Sequence, residues 1–268
     1  MTISRRVALG CASAFVVTGT SLAGVARRAV LVRKSPQSAQ SAAQRFLELL
    51  VDCDENGGTS YSSMIWIPAP DTAWHAVSSL NDLAYRVANT AYKKRGYRLR
   101  RVSAFKTRAG VRYAACWEYI SGPDWHSRHG MTQAEFDSAR AEFAAKGFRM
   151  THVDARVGFA AIWERGDTST QQILTSLTTA EYQTQAAALA AQGYRPVRIA
   201  GAAVNGVSRY TAILESGLAG GWQADPEMTV SQLRKTEAAM TAKGFHMTDA
   251  SGHMLNGKPA FSGVWQKV

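Results

Sequence analysis

The sequence predicts an α+β fold of tandem helix-plus-β-hairpin repeats, with the hairpins joined in an antiparallel sheet and the helices on one face. Three observations carry this. Gly96, Gly147, Gly193 and Gly244 are each followed by an aromatic residue (Tyr97, Phe148, Tyr194, Phe245), at spacings of 51, 46 and 51 residues. An amphipathic stretch precedes each glycine and opens on the same capping device. Strand-like runs follow each glycine, and their last core residue aligns as Trp117, Trp163, Leu214 and Trp265. A period of about 50 residues that agrees at cap, stop and core marks units that cannot bury their apolar faces alone.

The stretch Met131 to Arg165 shows the device in full. Thr132 can cap a helix with its hydroxyl, and Glu135 three residues on completes a capping box. Met131 and Phe136 have the spacing of a hydrophobic staple. Phe136, Ala139 and Phe143 trace one helical face, and Gly147 supplies a left-handed stop. Phe148 to Val153 and Val157 to Glu164 read as strands. Leu177, Thr178, Glu181 and Tyr182 repeat the device, as do Met228, Thr229, Gln232 and Leu233. Leu80, Asn81 and Tyr85 keep the staple and cap, but Ala84 replaces the box residue. The last core residue lies 21 positions after the glycine in three repeats and 16 in the second, whose hairpin turn is therefore five residues shorter.

Taken in order, residues 1–26 read as a Tat-type signal. Ser4-Arg5-Arg6 precedes an uncharged run of small and apolar residues, with cleavage expected after Ala23 or Ala26. The alternative is an uncleaved anchor, which would be the chain's only attachment to a membrane. A basic linker follows over 27–37. Residues 38–74 read as a truncated capping unit, with a helix from Gln40 to Asp54 and a strand from Tyr61 to Ile67. Four repeats then fill 75–268, at about 75–124, 125–170, 171–221 and 222–268. Trp74, Trp125 and Trp222 sit six residues before a staple residue, in segments read as connectors, and Gln171 takes that place once.

The formal charge is +11, from 31 basic and 20 acidic residues. The basic residues are spread along the repeats rather than gathered in a stripe interleaved with aromatics, so no nucleic acid is expected. An exported basic chain would instead meet an anionic envelope polymer, glycan or peptide. Once the signal is removed, Cys53 and Cys116 are the two cysteines left. In an oxidising compartment they are a candidate disulfide, with two buried thiols as the alternative.

Trp125 to Thr132 (WHSRHGMT), Gly147 to Met150 (GFRM) and Phe159 to Glu164 (FAAIWE) resemble the bacterial tandem repeat domain family. Gly193-Tyr194-Arg195, Arg209 to Ile213 and Arg112 to Glu118 follow the same pattern, so the resemblance covers about residues 74 to 268. Repeats of this family often accompany a serine hydrolase domain of β-lactamase type, including in secreted polyglycine hydrolases. The resemblance implies an accessory or recognition module, since these 268 residues leave no room for that domain beside the repeats.

No catalytic residues, cofactor or metal emerge from the motifs. Ser103 to Lys106 matches S-x-x-K, but it lies in a strand and turn without the partner motifs. His126 and His129 could begin a zinc site, yet apart from Asp124 no further ligand is suitably spaced. Arg98, Arg149 and Arg195 follow the Gly-aromatic pairs, with His246 in the fourth repeat. Glu118, Glu164 and Glu215 follow the last core residues, with Gln266 in the fourth. Recurrence at equivalent places points to cross-strand pairing rather than to a single asymmetric active site. The remaining binding candidates are Trp74, His75, Trp125, His126, Arg128, His129 and Trp222. Exposed on one rim, they would offer stacking platforms. Buried, the tryptophans would plug gaps between repeats. The expected function is an exported binding or structural module, the alternative an accessory or catalytic part of a secreted hydrolase acting on peptide or glycan polymers.

Overall fold

The computed structural model describes the backbone of residues 7–8, 33–34, 44–53, 60–68, 73–107, 109–168 and 170–267, with side chains from residue 73 onward apart from Ser78. Except for two two-residue segments, the expected signal and linker lie outside the described residues. The chain divides into two compact units, Met1–Gly122 and Pro123–Val268.

In the first unit, β1 (Gln44–Cys53) and β2 (Ser60–Pro68) pair antiparallel. Within the helix expected from Gln40 to Asp54, the described residues Gln44–Cys53 are therefore a strand. Its sequence also alternates apolar residues at period two (Leu47, Leu49, Val51, Cys53), and an apolar run this short fits either period until a partner strand decides. The first repeat follows as β3 (Trp74–Leu80), α1 (Asp82–Lys94), β4 (Arg98–Thr107) and β5 (Gly110–Glu118).

The second unit holds three repeats of the same order. They are β6 (Trp125–Met131), α2 (Gln133–Ala145), β7 (Phe148–Asp154) and β8 (Phe159–Arg165); β9 (Gln171–Leu177), α3 (Thr179–Ala190), β10 (Arg195–Val204) and β11 (Val207–Glu215); and β12 (Trp222–Met228), α4 (Val230–Ala242), β13 (Phe245–Leu255) and β14 (Lys258–Lys267).

The connectors are thus strands, and the hairpins do not join into one sheet. Each repeat in this unit builds its own three-stranded antiparallel sheet, with the last strand in the middle. The reason is a matter of edges. β6 pairs along β8, from Trp125 opposite Glu164 to Met131 opposite Phe159, and takes the edge a neighbouring hairpin would need. The first repeat pairs β3 with β5 in the same way, Trp74 opposite Glu118.

The helices start where the caps place them. The hydroxyls of Thr132, Thr178 and Thr229 each accept from the backbone N–H three residues on, and Glu135, Glu181 and Gln232 return the bond to the cap. Asn81 caps α1 by accepting from Ala84 at 2.8 Å, without a box. Each cap stabilises its helix by about 1 kcal/mol. The helices bury their staple face on the strands of their own repeat: Phe136 stacks on Phe159 at 4.4 Å and Phe143 on Trp163 at 4.6 Å. The indole N–H of the last-strand tryptophan also finds the helix, Trp117 donating to Asn89 at 2.9 Å and Trp265 to Glu237 at 2.5 Å.

Two irregularities recur in all four repeats. In the strand after the glycine, the register skips one residue: Arg100, Thr151, Val197 and Thr248. Such a bulge bends the strand and re-aims the next side chain. In the strand before the helix, the pairing skips two residues ahead of the staple. There Ser79, Gly130 and Ser176 adopt φ of 66°, 64° and 55°. The hairpins of the third and fourth repeats turn through Asn205-Gly206 and Asn256-Gly257, all at positive φ, as a tight turn between twisted strands requires. The shorter second hairpin turns through residues 155–158 instead. A Cβ on Gly158 would meet the Met131 carbonyl at 2.8 Å, so glycine is obligatory there.

Candidate functional site

The residues expected to form a binding rim divide by burial. Trp74 and Trp125 are 6% and 7% exposed, whereas Trp222 is 36% exposed. All three begin strands and lie opposite the last-strand acid or amide: Glu118, Glu164 and Gln266. Two of the three are therefore packed and cannot serve as open stacking platforms. His75 is buried too, stacked on Tyr92 at 4.8 Å with its Nε2 3.3 Å from the Tyr97 hydroxyl.

In the second repeat, His126 and Arg128 are exposed and lie two apart on β6, so they share a face. His126 sits 5.2 Å from the Phe143 ring and 4.9 Å from Phe148. Arg128 covers Phe143 at 5.0 Å and bonds Glu142 at 2.7 Å, while Arg165 covers Phe148 at 4.6 Å. A bond from Lys146, with that from Arg128, holds the Glu142 carboxyl below its ordinary range. His129 lies three residues from His126 on β6 and is half-buried. Among the described residues no three His, Cys, Asp or Glu side chains gather for a metal. Cys116 is buried beside Trp74 and Ala76, and the side chain of Cys53 lies outside the described residues. Ser103 is buried and Lys106 exposed on β4, so the S-x-x-K pair does not meet.

The recurring charges pair across strands by register: Arg98 opposite Glu118, Arg149 opposite Glu164, Arg195 opposite Glu215 and His246 opposite Gln266. Some of their bonds reach the next repeat. Arg149 bridges to Glu215 of the third repeat at 3.2 Å. Gln171, the residue in the tryptophan position, clamps the second repeat from the third. Its side chain accepts from the Met150 N–H at 2.9 Å and donates to the Met150 carbonyl at 2.8 Å. Ser176 donates to Gln133 at 2.9 Å, and Arg140 to the Ile173 carbonyl at 3.4 Å.

The joint between the third and fourth repeats is built from other chemistry. Arg198 and Asp249 bridge at 2.6 Å with side chains 2% and 1% exposed. Asp249 also accepts from the Ile199 N–H at 3.1 Å, and Ser251 from the Gly201 N–H at 3.0 Å. On its other side Arg198 donates to the Val153 carbonyl at 2.9 Å, so one guanidinium pins three repeats. Further along, Ser208 meets His253 Nε2 at 3.0 Å, both 3% exposed. Glu227 accepts from Thr179 at 2.6 Å and from the Tyr210 hydroxyl at 3.2 Å. Burial drives the Tyr182 and Tyr210 hydroxyls upward, so both stay protonated, and it pushes His253 down to about 4.

None of these joint residues belongs to a known motif, but a signal exists. The fifth residue after each glycine is Arg101, His152, Arg198 or Asp249, polar in all four repeats. Each follows the bulged residue, and Arg198 and Asp249 meet across their joint from this position. Aligning the repeats on their glycines exposes this position; reading each strand alone does not. Chemically these groups hold backbone and side-chain partners, and Ser208 and His253 lack both solvent access and, among the described residues, a carboxylate bonded to Nδ1. No curated relative matches the chain. A family model described as "Polyglycine hydrolase-like, structural repeat" matches residues 71–120, 122–166, 172–216 and 219–268, most of the chain, and the chain belongs to that family.

Proposed function

We propose that the chain is an exported repeat module that binds or scaffolds within the cell envelope or extracellular space. The observation that carries this is where the polar residues go. In the second unit, Arg149, Gln171, Arg198, Asp249, Ser251 and Glu227 all fasten one repeat to another. Of the binding candidates, those that stay exposed differ in type between repeats: His126 and Arg128, with Arg165 beside them, in the second and Trp222 in the fourth. A scaffold of shared joints carrying repeat-specific surfaces is how repeat proteins recognise extended ligands. The positive charge favours an anionic envelope polymer, glycan or peptide. Export rests on the twin arginines of residues 1–26.

The hydrolase alternative would draw on Ser208 and His253, which form a nucleophile-and-base pair by distance. Their burial, and the lack among the described residues of an acid on Nδ1, argue for a structural bond instead.

The test is retention of envelope polymers and medium glycans on immobilised protein comprising residues 27–268. Retention of an anionic polymer is expected, reduced several-fold by combined His126→Ala, Arg128→Ala and Trp222→Ala at unchanged circular dichroism. Equal retention by the variant would reject this face.

A further inference from the structure

We propose that the joint between the third and fourth repeats is an acid-sensitive latch, held closed by neutral His253. The run of donors ends at Glu227. As a carboxylate it only accepts, so the Tyr210 hydroxyl must donate its proton there. On the same strand as Tyr210, the Ser208 hydroxyl lies 3.0 Å from His253 Nε2, and it can accept from an Nε2–H or donate to a bare Nε2.

Nδ1 is pressed against the backbone of Gly201. A Cβ at that position would lie 2.6 Å from Nδ1, which explains the glycine, and no described group bonds Nδ1. The protonated ring carries an N–H at both nitrogens, so it would be a buried cation whose Nδ1–H has no acceptor among the described residues. The charged and titratable groups around the imidazole do not offset this. Burial is the largest effect and opposes protonation; Glu227 on β12 favours it, and Arg156 in the β7–β8 turn opposes it. Arg156 itself is bonded to Asp154 at 2.9 Å. Asp249, on the same strand as His253, is held by Arg198 of β10, and Tyr210 of β11 is a neutral donor.

Proton linkage sets the direction of the pH response. In the closed joint His253 titrates at about 4, while a solvent-exposed histidine takes up its proton near pH ~6.5. The open form therefore binds more protons between these values. Closure is at full strength above pH ~6.5, weakens as pH falls, and levels off once the closed form protonates as well. Between pH 7.5 and 5 the opening equilibrium should rise about 30-fold.

Hydrogen exchange on the full-length protein, corrected for intrinsic rates, tests this. Arg195–Val204 and Phe245–Leu255 should lose protection about 30-fold from pH 7.5 to 5, and helix Gln133–Ala145 far less. An equal loss in that helix overturns the latch. His253→Gln keeps a donor toward Ser208 and should flatten the pH response at the joint; a retained response overturns it. Should that variant fail to fold, NMR of the wild-type imidazole decides between the outcomes. A neutral imidazole persisting at pH 5 supports the latch, and titration near pH ~6.5 overturns it.

Discussion

The two joints inside Pro123–Val268 use equivalent strands for the same task and do so with different physics. Between the second and third repeats, most side-chain fastenings are half-buried or exposed, with Gln171 on the Met150 backbone, Arg149 on Glu215 and Ser176 on Gln133 beside one buried bond from Arg198 to Val153. Between the third and fourth, most are buried, with Arg198 on Asp249, Ser251 on the Gly201 N–H and His253 on Ser208 beside the exposed bond from Thr179 to Glu227. Half-buried amides contribute modestly and are indifferent to pH. Buried charged and titratable groups couple strongly, and they fail sharply when one partner changes state. A repeat fold therefore sets geometry at its joints and leaves their strength and pH response to a few side chains.

The largest separation between the joints should come from Asp249→Ala. It leaves the Arg198 guanidinium buried without its carboxylate and removes the acceptor of the Ile199 N–H. Removing one member of such a pair costs about 3–5 kcal/mol. Urea denaturation should show the loss, and a double variant that also replaces Arg198 by Met should recover a large part of it. A cost under about 1 kcal/mol would place the pair among solvated surface bridges and remove the contrast.

Gln171→Ala probes the other joint. It deletes two bonds to the backbone of Met150, a residue only 2% exposed. The expected cost is about 1–2 kcal/mol, with no change in pH dependence. Substitution by Trp, the residue at this position in the other repeats, should not restore the clamp. The next joint shows why. There the position aligned with Met150 is Pro196, which has no N–H to give, and Trp222 stands where the amide would be.

Caps, staples and glycine stops are legible in the sequence because they are local: Thr132, Glu135, Phe136 and Gly147 behave as their spacing dictates. The strand before each helix is not. Trp125 to Met131 mixes histidine, arginine and glycine, and its strand character comes from pairing with β8 rather than from propensity. The segment Gln44–Cys53 is hidden for a related reason, its leucines fitting either period. The joints are hidden because Arg198 and Asp249 are 51 residues apart and meet only through tertiary packing. The tryptophans that open these strands are visibly periodic, but the burial of Trp74 and Trp125 depends on strand partners that spacing alone does not identify.

The smallest effect, and the finest test of the comparison, is Ser176→Gly. Ser176 holds φ of 55°, a left-handed conformation that costs a non-glycine residue about 1 kcal/mol. It also donates to Gln133 across the second joint at an exposed site, a bond worth about 0.5–1 kcal/mol. The equivalent residue of the second repeat is Gly130, at φ 64°, which has the relaxed backbone and no bond to offer. Glycine at 176 therefore trades strain for a fastening, and the two nearly cancel: a change within about 0.5 kcal/mol is expected. Ser176→Ala keeps the strain and loses the bond, so it should lie below Ser176→Gly by about 1 kcal/mol. Urea midpoints for the pair decide it. If alanine matches glycine, the backbone at 176 carries no strain. If both fall by more than about 2 kcal/mol, the second joint is as tightly coupled as the third-to-fourth one, and exposure does not distinguish them.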